Sequence, residues 1–251
     1  MDASELYDPE FRKLIKSKKQ TVIIPVGSLE QHGAHLPLTT DSDIVTEVAS
    51  RLAKKCGFIV LPTISYGVSY EHSPLTNVSI EDYNLESILA DIIMSLFAMS
   101  PGKETRPSLP SKIFFIILNG HHGNVDALVD LEDNLLDKFL GKGFPHAPHG
   151  LTVYSYWHFM KHEFDHAGFV ETSLMLAISD KVKMKKAKKG FIIENLSKLE
   201  QSAAKKLSTE RGGFPKVAKN GVWGDPTGAT KKDGEKFLAE IVRNLAKECQ
   251  T

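Results

Sequence analysis

The sequence predicts an α/β fold in which a mainly parallel sheet carries helices on both faces. Two observations predict it. Short apolar runs rich in β-branched residues alternate with longer segments of helical periodicity. The histidine- and acid-rich segments directly follow those runs, at the carboxyl edge where open α/β sheets bind ligands. At 251 residues the chain can bury a substantial core as a single domain spanning 1–251.

The first strand is expected near 21–26, where Val22-Ile23-Ile24-Pro25-Val26 runs without a charge. A helix near 43–55 follows from Ile44, Val45, Val48 and Leu52; Asp43 at its start competes with Asp41 as a ligand but suits a capping role better. Phe58-Ile59-Val60-Leu61 places a second strand near 58–62, and a helical pattern covers 81–99. Ile113-Phe114-Phe115-Ile116-Ile117-Leu118 is too short for a good helix and reads as a buried strand, followed by a helix near 124–140. A strand near 151–156 and helices near 171–179 and 233–248 complete the alternation. The three prolines of stretch 101–110 mark a surface loop rather than a domain linker. The glycine-rich, aromatic segment 212–228 is expected to fold over the rim of a site, with Trp223 inside or at a subunit contact.

Chemistry concentrates in three clusters. The first is Glu30-Gln31-His32-Gly33, running through His35-Leu36-Pro37 to Asp41. Carboxylate oxygen with imidazole nitrogen is a donor set that zinc, iron and manganese accept. In an extended segment Glu30 and His32 point to the same side, and Asp41 returns to the same ion if the intervening loop is compact. The second is Asn119-Gly120-His121-His122-Gly123-Asn124, a glycine-flanked histidine pair where a strand gives way to a helix. The third is Asp165-His166-Ala167-Gly168-Phe169-Val170-Glu171-Thr172-Ser173. Glu171 there has a plain structural alternative, since a helix start favours a carboxylate without any metal. His166 lies outside that helix and calls for another explanation.

These segments together resemble the creatininase (creatinine amidohydrolase) family in order and spacing: Pro25-Val26-Gly27-Ser28-Leu29-Glu30-Gln31-His32-Gly33 with His35-Leu36-Pro37 and Asp41, then Asn119 to Asn124, then His166-Ala167-Gly168 with Glu171-Thr172-Ser173. The ending Gly221-Val222-Trp223-Gly224-Asp225-Pro226, with Ala229 and Gly234, looks like the family's C-terminal signature. The resemblance implies a three-layer α/β/α sandwich and a centre of two divalent metal ions per subunit, zinc being the first expectation and iron or manganese also suited. It implies Glu30 and His32 each on one ion, Asp41 bridging both, His121 as a further ligand and Glu171 completing the site. His166 matches a histidine held near the metals as proton donor, so His166 and Glu171 are the expected catalytic residues. The resemblance also implies a homo-oligomer, a hexamer in many members. Two departures bear on substrate. Creatinine-hydrolysing members carry glutamate where this chain has Gly123, and the usual Gly-Thr-Ile-Ser-Leu segment here reads Thr76-Asn77-Val78-Ser79-Ile80, after His72.

The ligand types point to the same chemistry without the name. Two metal ions about 3.5–4 Å apart generate hydroxide near neutral pH and polarise a carbonyl, and a neutral-range histidine suits protonation of an amide nitrogen. Gly27-Ser28 lacks nucleophile-elbow spacing, and neither Cys56 nor Cys249 adjoins a histidine motif. The expected function is metal-dependent hydrolysis, by a metal-bound hydroxide, of a non-peptide C–N bond in a small cyclic amide or formamide. The alternatives are deformylation of a formamidopyrimidine nucleotide in flavin or deazaflavin synthesis, creatinine hydrolysis, trimming of a peptide during cofactor maturation, and a non-catalytic metal-binding subunit.

The remaining histidines are weighed one by one. His35 and His122 read as groups that orient ligands or stabilise loops, and His72 could reach the pocket from the loop after the second strand. His146, His149, His158 and His162 read as ordinary loop or surface residues. Tyr154 and Trp157 could wall a planar substrate, with core packing the expected job for at least one.

Composition sets limits. With 31 basic and 31 acidic residues there is no global field to gather nucleic acid or an anionic membrane. The basic run from Lys181 to Lys189 reads as a solvated face, or more sharply as a phosphate contact. Two distant cysteines suggest a reducing cytoplasm. The acidic N-terminal stretch is not expected to act as a signal peptide, and no run of the sequence reaches membrane-span length.

Overall fold

The computed structural model describes residues 1–17, 19–99, 113–129, 131, 134–135, 150–163 and 165–249. The expected loop at 101–110, most of the second half of the expected helix 124–140, and His146 and His149 lie outside the described residues. Among the described residues, four strands, β1 (Gln20–Val26), β2 (Ile59–Val60), β3 (Ile113–Asn119) and β4 (Leu151–Ser155), form one sheet in the order β2-β1-β3-β4. Every pairing is parallel, with Val26 level with Asn119 and Asn119 level with Ser155. The chemistry-bearing segments after β1 and β3 therefore leave the same edge of the sheet.

The strand period of two sorts side chains into two cores. Ile23, Ile116 and Leu118 face a layer built by helices α2 (Thr40–Cys56), α5 (Phe169–Ile178) and α8 (Lys231–Glu248). Val22, Ile24, Val26, Phe115 and Ile117 face the opposite layer, with α1 (Asp8–Ser17), α3 (Asp82–Met99) and α4 (Val125–Val129). The result is the three-layer α/β/α sandwich. Pro25 is tolerated in a central strand because its missing N–H falls on the β2 side, where regular pairing has ended; its carbonyl still accepts Ile64 N–H at 2.9 Å.

Helix α2 starts three residues earlier than its apolar periodicity suggests. Thr39 is its N-cap, so Asp41 lies in the first turn, and Asp43 instead accepts from Thr39 Oγ1 (3.0 Å) and Lys181 Nζ (3.2 Å). The α5 start is capped from upstream, with Asp165 Oδ2 and Oδ1 accepting Val170 N–H (2.8 Å) and Glu171 N–H (3.2 Å). Helix α8 packs so close to α5 that a β-carbon at Gly234 would strike the Ser173 carbonyl oxygen. Among the described residues, three α-helices had no counterpart in the sequence reading: α1, α6 (Lys198–Thr209) and the single turn α7 (Phe214–Val217). Helix α6 buries no residue, so no apolar stripe announces it; its signal is the Ser197–Glu200 capping box. Among the described residues, no helix is long and apolar enough to cross a membrane.

Candidate metal centre

At the carboxyl edge the three clusters converge. Glu30, His32, Asp41 and Glu171 are each at most 2 % exposed, and His121 is 3 % exposed. Glu30 and His32 leave β1, Asp41 enters from the first turn of α2, His121 follows β3, and Glu171 projects from the first turn of α5. Asn124 holds the edge together: its Nδ2 donates to Gly27 O (3.1 Å) and its Oδ1 accepts Val68 N–H (2.9 Å).

Two imidazoles are oriented by backbone carbonyls. His32 Nδ1 lies 3.2 Å from the Glu30 carbonyl and His121 Nε2 lies 2.8 Å from the Val68 carbonyl. A carbonyl only accepts, so those nitrogens carry the hydrogen. The lone pairs of His32 Nε2 and His121 Nδ1 are then left facing Asp41 Oδ1 and Oδ2, each at 3.1 Å. Lone pair against carboxylate is repulsive unless a proton or metal cation lies between. The backbone-oriented histidine is the usual partner arrangement of a metal ligand.

Two buried groups have ligand atoms within 4.8 Å of one another and share a carboxylate: Glu30, Asp41 and His121, and His32, Asp41 and Glu171. Glu30 Oε1, Asp41 Oδ2 and Glu171 Oε1 accept no aligned hydrogen bond, although His72 Nε2 lies 3.0 Å from Glu30 Oε1. Buried carboxylate oxygens left in this state are costly, and their donor chemistry fits divalent cations.

Without cations, protons compensate. Burial opposes charge on His32, but Asp41, Glu171 and Glu30 outweigh it and raise its pKa to about 10. His121 is raised well above its ordinary value by Glu30 and Asp41, again against burial. Asp41 is held below the carboxylate range by His32 and His121 despite burial. Burial pushes Glu171 up to about 8.

His166 lies across the site, its ring 4.2 Å from that of His32 and 4.8 Å from that of His72. Its Nε2 lies 3.0 Å from the Gln31 carbonyl and its Nδ1 lies 3.8 Å from Glu30 Oε1. Burial, then the charges of His32 and His72, push its pKa well below the ordinary value, so the imidazole is held neutral rather than near its neutral-range midpoint. Segment 212–228 does reach the rim: Trp223 N–H donates to His166 O (2.8 Å), and Phe214 and Trp223 line a cavity of about 500 Å³.

The other residues now have positions. His35 Nε2 meets Thr172 Oγ1 at 2.9 Å, behind the site. His122 is exposed and stacks on Trp157, 6.1 Å between ring centres, and both line the cavity. Tyr154 instead packs edge-on against Phe159. His158 packs edge-on beside Trp157, and His162 lies against Phe169 and Phe237. No lysine from 181–189 lines the cavity; Lys205 does. His72 reaches the centre, and Glu71 and Gln31, given no role from the sequence, also belong to it. Gln31 Oε1 accepts Gly33 N–H (3.0 Å), which turns Nε2 toward His72 Nδ1 (2.9 Å). Their signal was position alone: Gln31 sits between two ligand candidates, and Glu71 adjoins His72.

The family model Creatininase (creatinine amidohydrolase) matches residues 4–249. The chain belongs to the creatininase family. As a member of it, the chain is a metal-dependent hydrolase acting on C–N bonds. Its creatininase-family relatives include the mycofactocin precursor peptide peptidase of Mycolicibacterium smegmatis, 34% identical over 233 residues that cover 90% of this chain and 82% of that protein. The creatinine amidohydrolase of Pseudomonas putida is 28% identical over 196 residues, 69% of this chain and 70% of that protein. The solved structure "Creatininase Mn" superposes with a TM-score of 0.76 at 24% identity, covering 99% of this chain and 97% of that one, which establishes the creatininase fold.

Proposed function

We propose that the chain hydrolyses an amide C–N bond at two divalent ions, one held by Glu30, Asp41 and His121 and the other by His32, Asp41 and Glu171. The observation that carries this reading is Asp41, whose two oxygens each face an imidazole nitrogen that backbone geometry leaves without a hydrogen. Zinc, iron and manganese all suit the donors. Bound ions would supply an activated water and polarise the substrate carbonyl.

The residues of the chain do the rest. Trp157, Phe214 and Trp223 wall the cavity and exclude water around a planar amide. His166, neutral and with Nδ1 turned inward, takes the proton released as water attacks the carbonyl carbon. It returns that proton to the departing nitrogen as the C–N bond breaks, so a free amine leaves and a carboxylic acid or formate remains. Glu171, whose Oε2 lies 3.5 Å from His32 Nε2, would hold the same ion as His32.

The substrate reading is a small cyclic amide or formamide, formamidopyrimidine nucleotides included. A second reading, cleavage of a bond in a short peptide, is favoured by the 34% identity to a peptide peptidase and by a cavity of about 500 Å³, roomy for creatinine alone. Creatinine itself is disfavoured by Gly123. The family resemblance adds an assembly of several copies of the chain, checked by light scattering. The deciding experiment measures metal per chain and, on the same sample, hydrolysis of creatinine, formamidopyrimidine nucleotides, small cyclic amides and short peptides. Two ions per chain with chelator-sensitive turnover is the expected result. A protein that takes up no zinc, iron or manganese would remove the two-ion reading.

A further inference from the structure

Helix α6 buries no residue, yet one of its faces is turned to the cavity. The helix lies against the turn Ile193–Asn195 and against α7, and Ile193 and Phe214 from those elements wall that cavity. Lys205, Ser208 and Thr209 line it as well. Their spacing, i, i+3 and i+4, puts all three on one side of the helix. The Ser208 hydroxyl donates to Lys205 O at 2.8 Å and the Thr209 hydroxyl to Lys206 O at 3.0 Å. With those hydrogens used inside the helix, the positive charge of Lys205 is what this face offers an anion.

Among the described residues that line the cavity, Lys205 is the only lysine or arginine. It is exposed, whereas His121 and Glu171 are buried, so it belongs to the mouth and they to the inner end. Asp126 and Glu163 line the same cavity and are exposed too, but Lys205 forms no ion pair with either. The ammonium group therefore stands without a carboxylate partner among the described residues, in a rim that otherwise carries negative charge.

We propose that Lys205 selects a substrate with an anionic group, carboxylate or phosphate, at the end remote from the amide that is cleaved. The proposal rests on the hydrolase reading and narrows its substrate class. The ammonium draws the anionic end to the α6 side of the mouth, and Asp126 and Glu163 repel it from the rest of the rim. The reacting amide is thereby left to the inner end. An uncharged ring gains nothing from this arrangement, whereas a peptide with a free C-terminal carboxylate or a nucleotide does.

The test compares matched pairs. One is an N-acetylated dipeptide with a free C-terminal carboxylate and the same compound ending in an amide; the other is a formamidopyrimidine nucleotide and its nucleoside. Turnover is measured on metal-loaded enzyme. Binding is measured on chelator-treated protein by tryptophan fluorescence, because both tryptophans of the chain, Trp157 and Trp223, line the cavity. Wild type should prefer the charged member of a pair by about tenfold or more in KM and Kd. The pair that shows the preference distinguishes carboxylate from phosphate. Lys205→Gln should remove most of the preference, Lys205→Arg should keep it, and salt should weaken it. Lys206→Gln, a change outside the cavity, should leave it as it is. Because α6 buries nothing, these substitutions leave the core packing intact. Equal treatment of both members by wild type, or a preference that survives Lys205→Gln, would overturn the proposal while hydrolysis stands. A Lys205-dependent preference in binding, with no compound cleaved by the loaded enzyme, would support the anion site and bring down the hydrolase reading instead.

Discussion

Ala167 donates its backbone N–H to Glu171 Oε2 at 2.6 Å, and it does so from φ 53, in the left-handed region. A non-glycine residue in that conformation is strained. The carboxylate that holds it also faces His32 Nε2 at 3.5 Å. One side chain thus couples the bend after His166 to the metal-facing cluster. Glu171→Gln should keep the bond through its amide oxygen and lose one ion. Glu171→Ala should lose the ion and strand a buried N–H, costing about 1–3 kcal/mol more. Chemical denaturation beside metal content separates the two, and equal stability of the variants would refute the coupling.

Asp41 is shared by both candidate ion groups. Asp41→Ala should release at least one ion and lower turnover by ~100-fold or more, since even residues that only orient ligands are worth about 10–100-fold. An unchanged metal count would show that another residue bridges.

His166 touches the cavity and is held neutral by burial and its charged neighbours. His166→Ala should lower kcat by about 10²–10⁴-fold with both ions retained, the range of general acid–base catalysis. Full turnover with the ions bound would exclude His166 from proton transfer.

Metal-free protein should grow less stable as pH rises. His32 has its folded pKa raised to about 10 from 6.5, so its contribution is complete below 6.5 and is lost as pH climbs through about 10. Glu171, raised to about 8 from 4.5, acts in the same direction between those values, because the folded state holds the extra proton. Asp41, depressed by His32 and His121, works the opposite way only below its ordinary pKa of 3.8. In chelator the melting temperature should fall from pH 6.5 to 10. With metal the trend should weaken or reverse, because the ion displaces those protons. Calorimetry across that range checks both limbs, and a rising metal-free curve would contradict the assigned protons.

The β-branched runs at 22–26 and 113–118 announced their strands because burial on both faces leaves a continuous apolar signal. Glu30, His32, Asp41, His121, His166 and Glu171 were legible for a related reason: each lies within a few residues of a strand or helix end, in a local run dense with metal-type donors. Helix α6 stayed hidden because it buries nothing, and α1 because it is short and little buried. Glu71 carried no sign of its place, since only the fold brings its Oε1 to 3.4 Å from His121 Nε2 and 3.7 Å from His72 Nε2.

The sequence by itself determined the α/β alternation, the family and the kinds of donor available, since these depend on residue type and near-neighbour spacing. Which nitrogen of each imidazole is turned to the carboxylates, that Asp41 stands between two of them, and that Glu71 and His72 close the group were decided by tertiary structure alone. Parallel pairing brings the ends of β1 and β3 to one edge. The carbonyls of Glu30 and Val68 then orient His32 and His121, and the hydrogens they accept leave the other nitrogens for a cation.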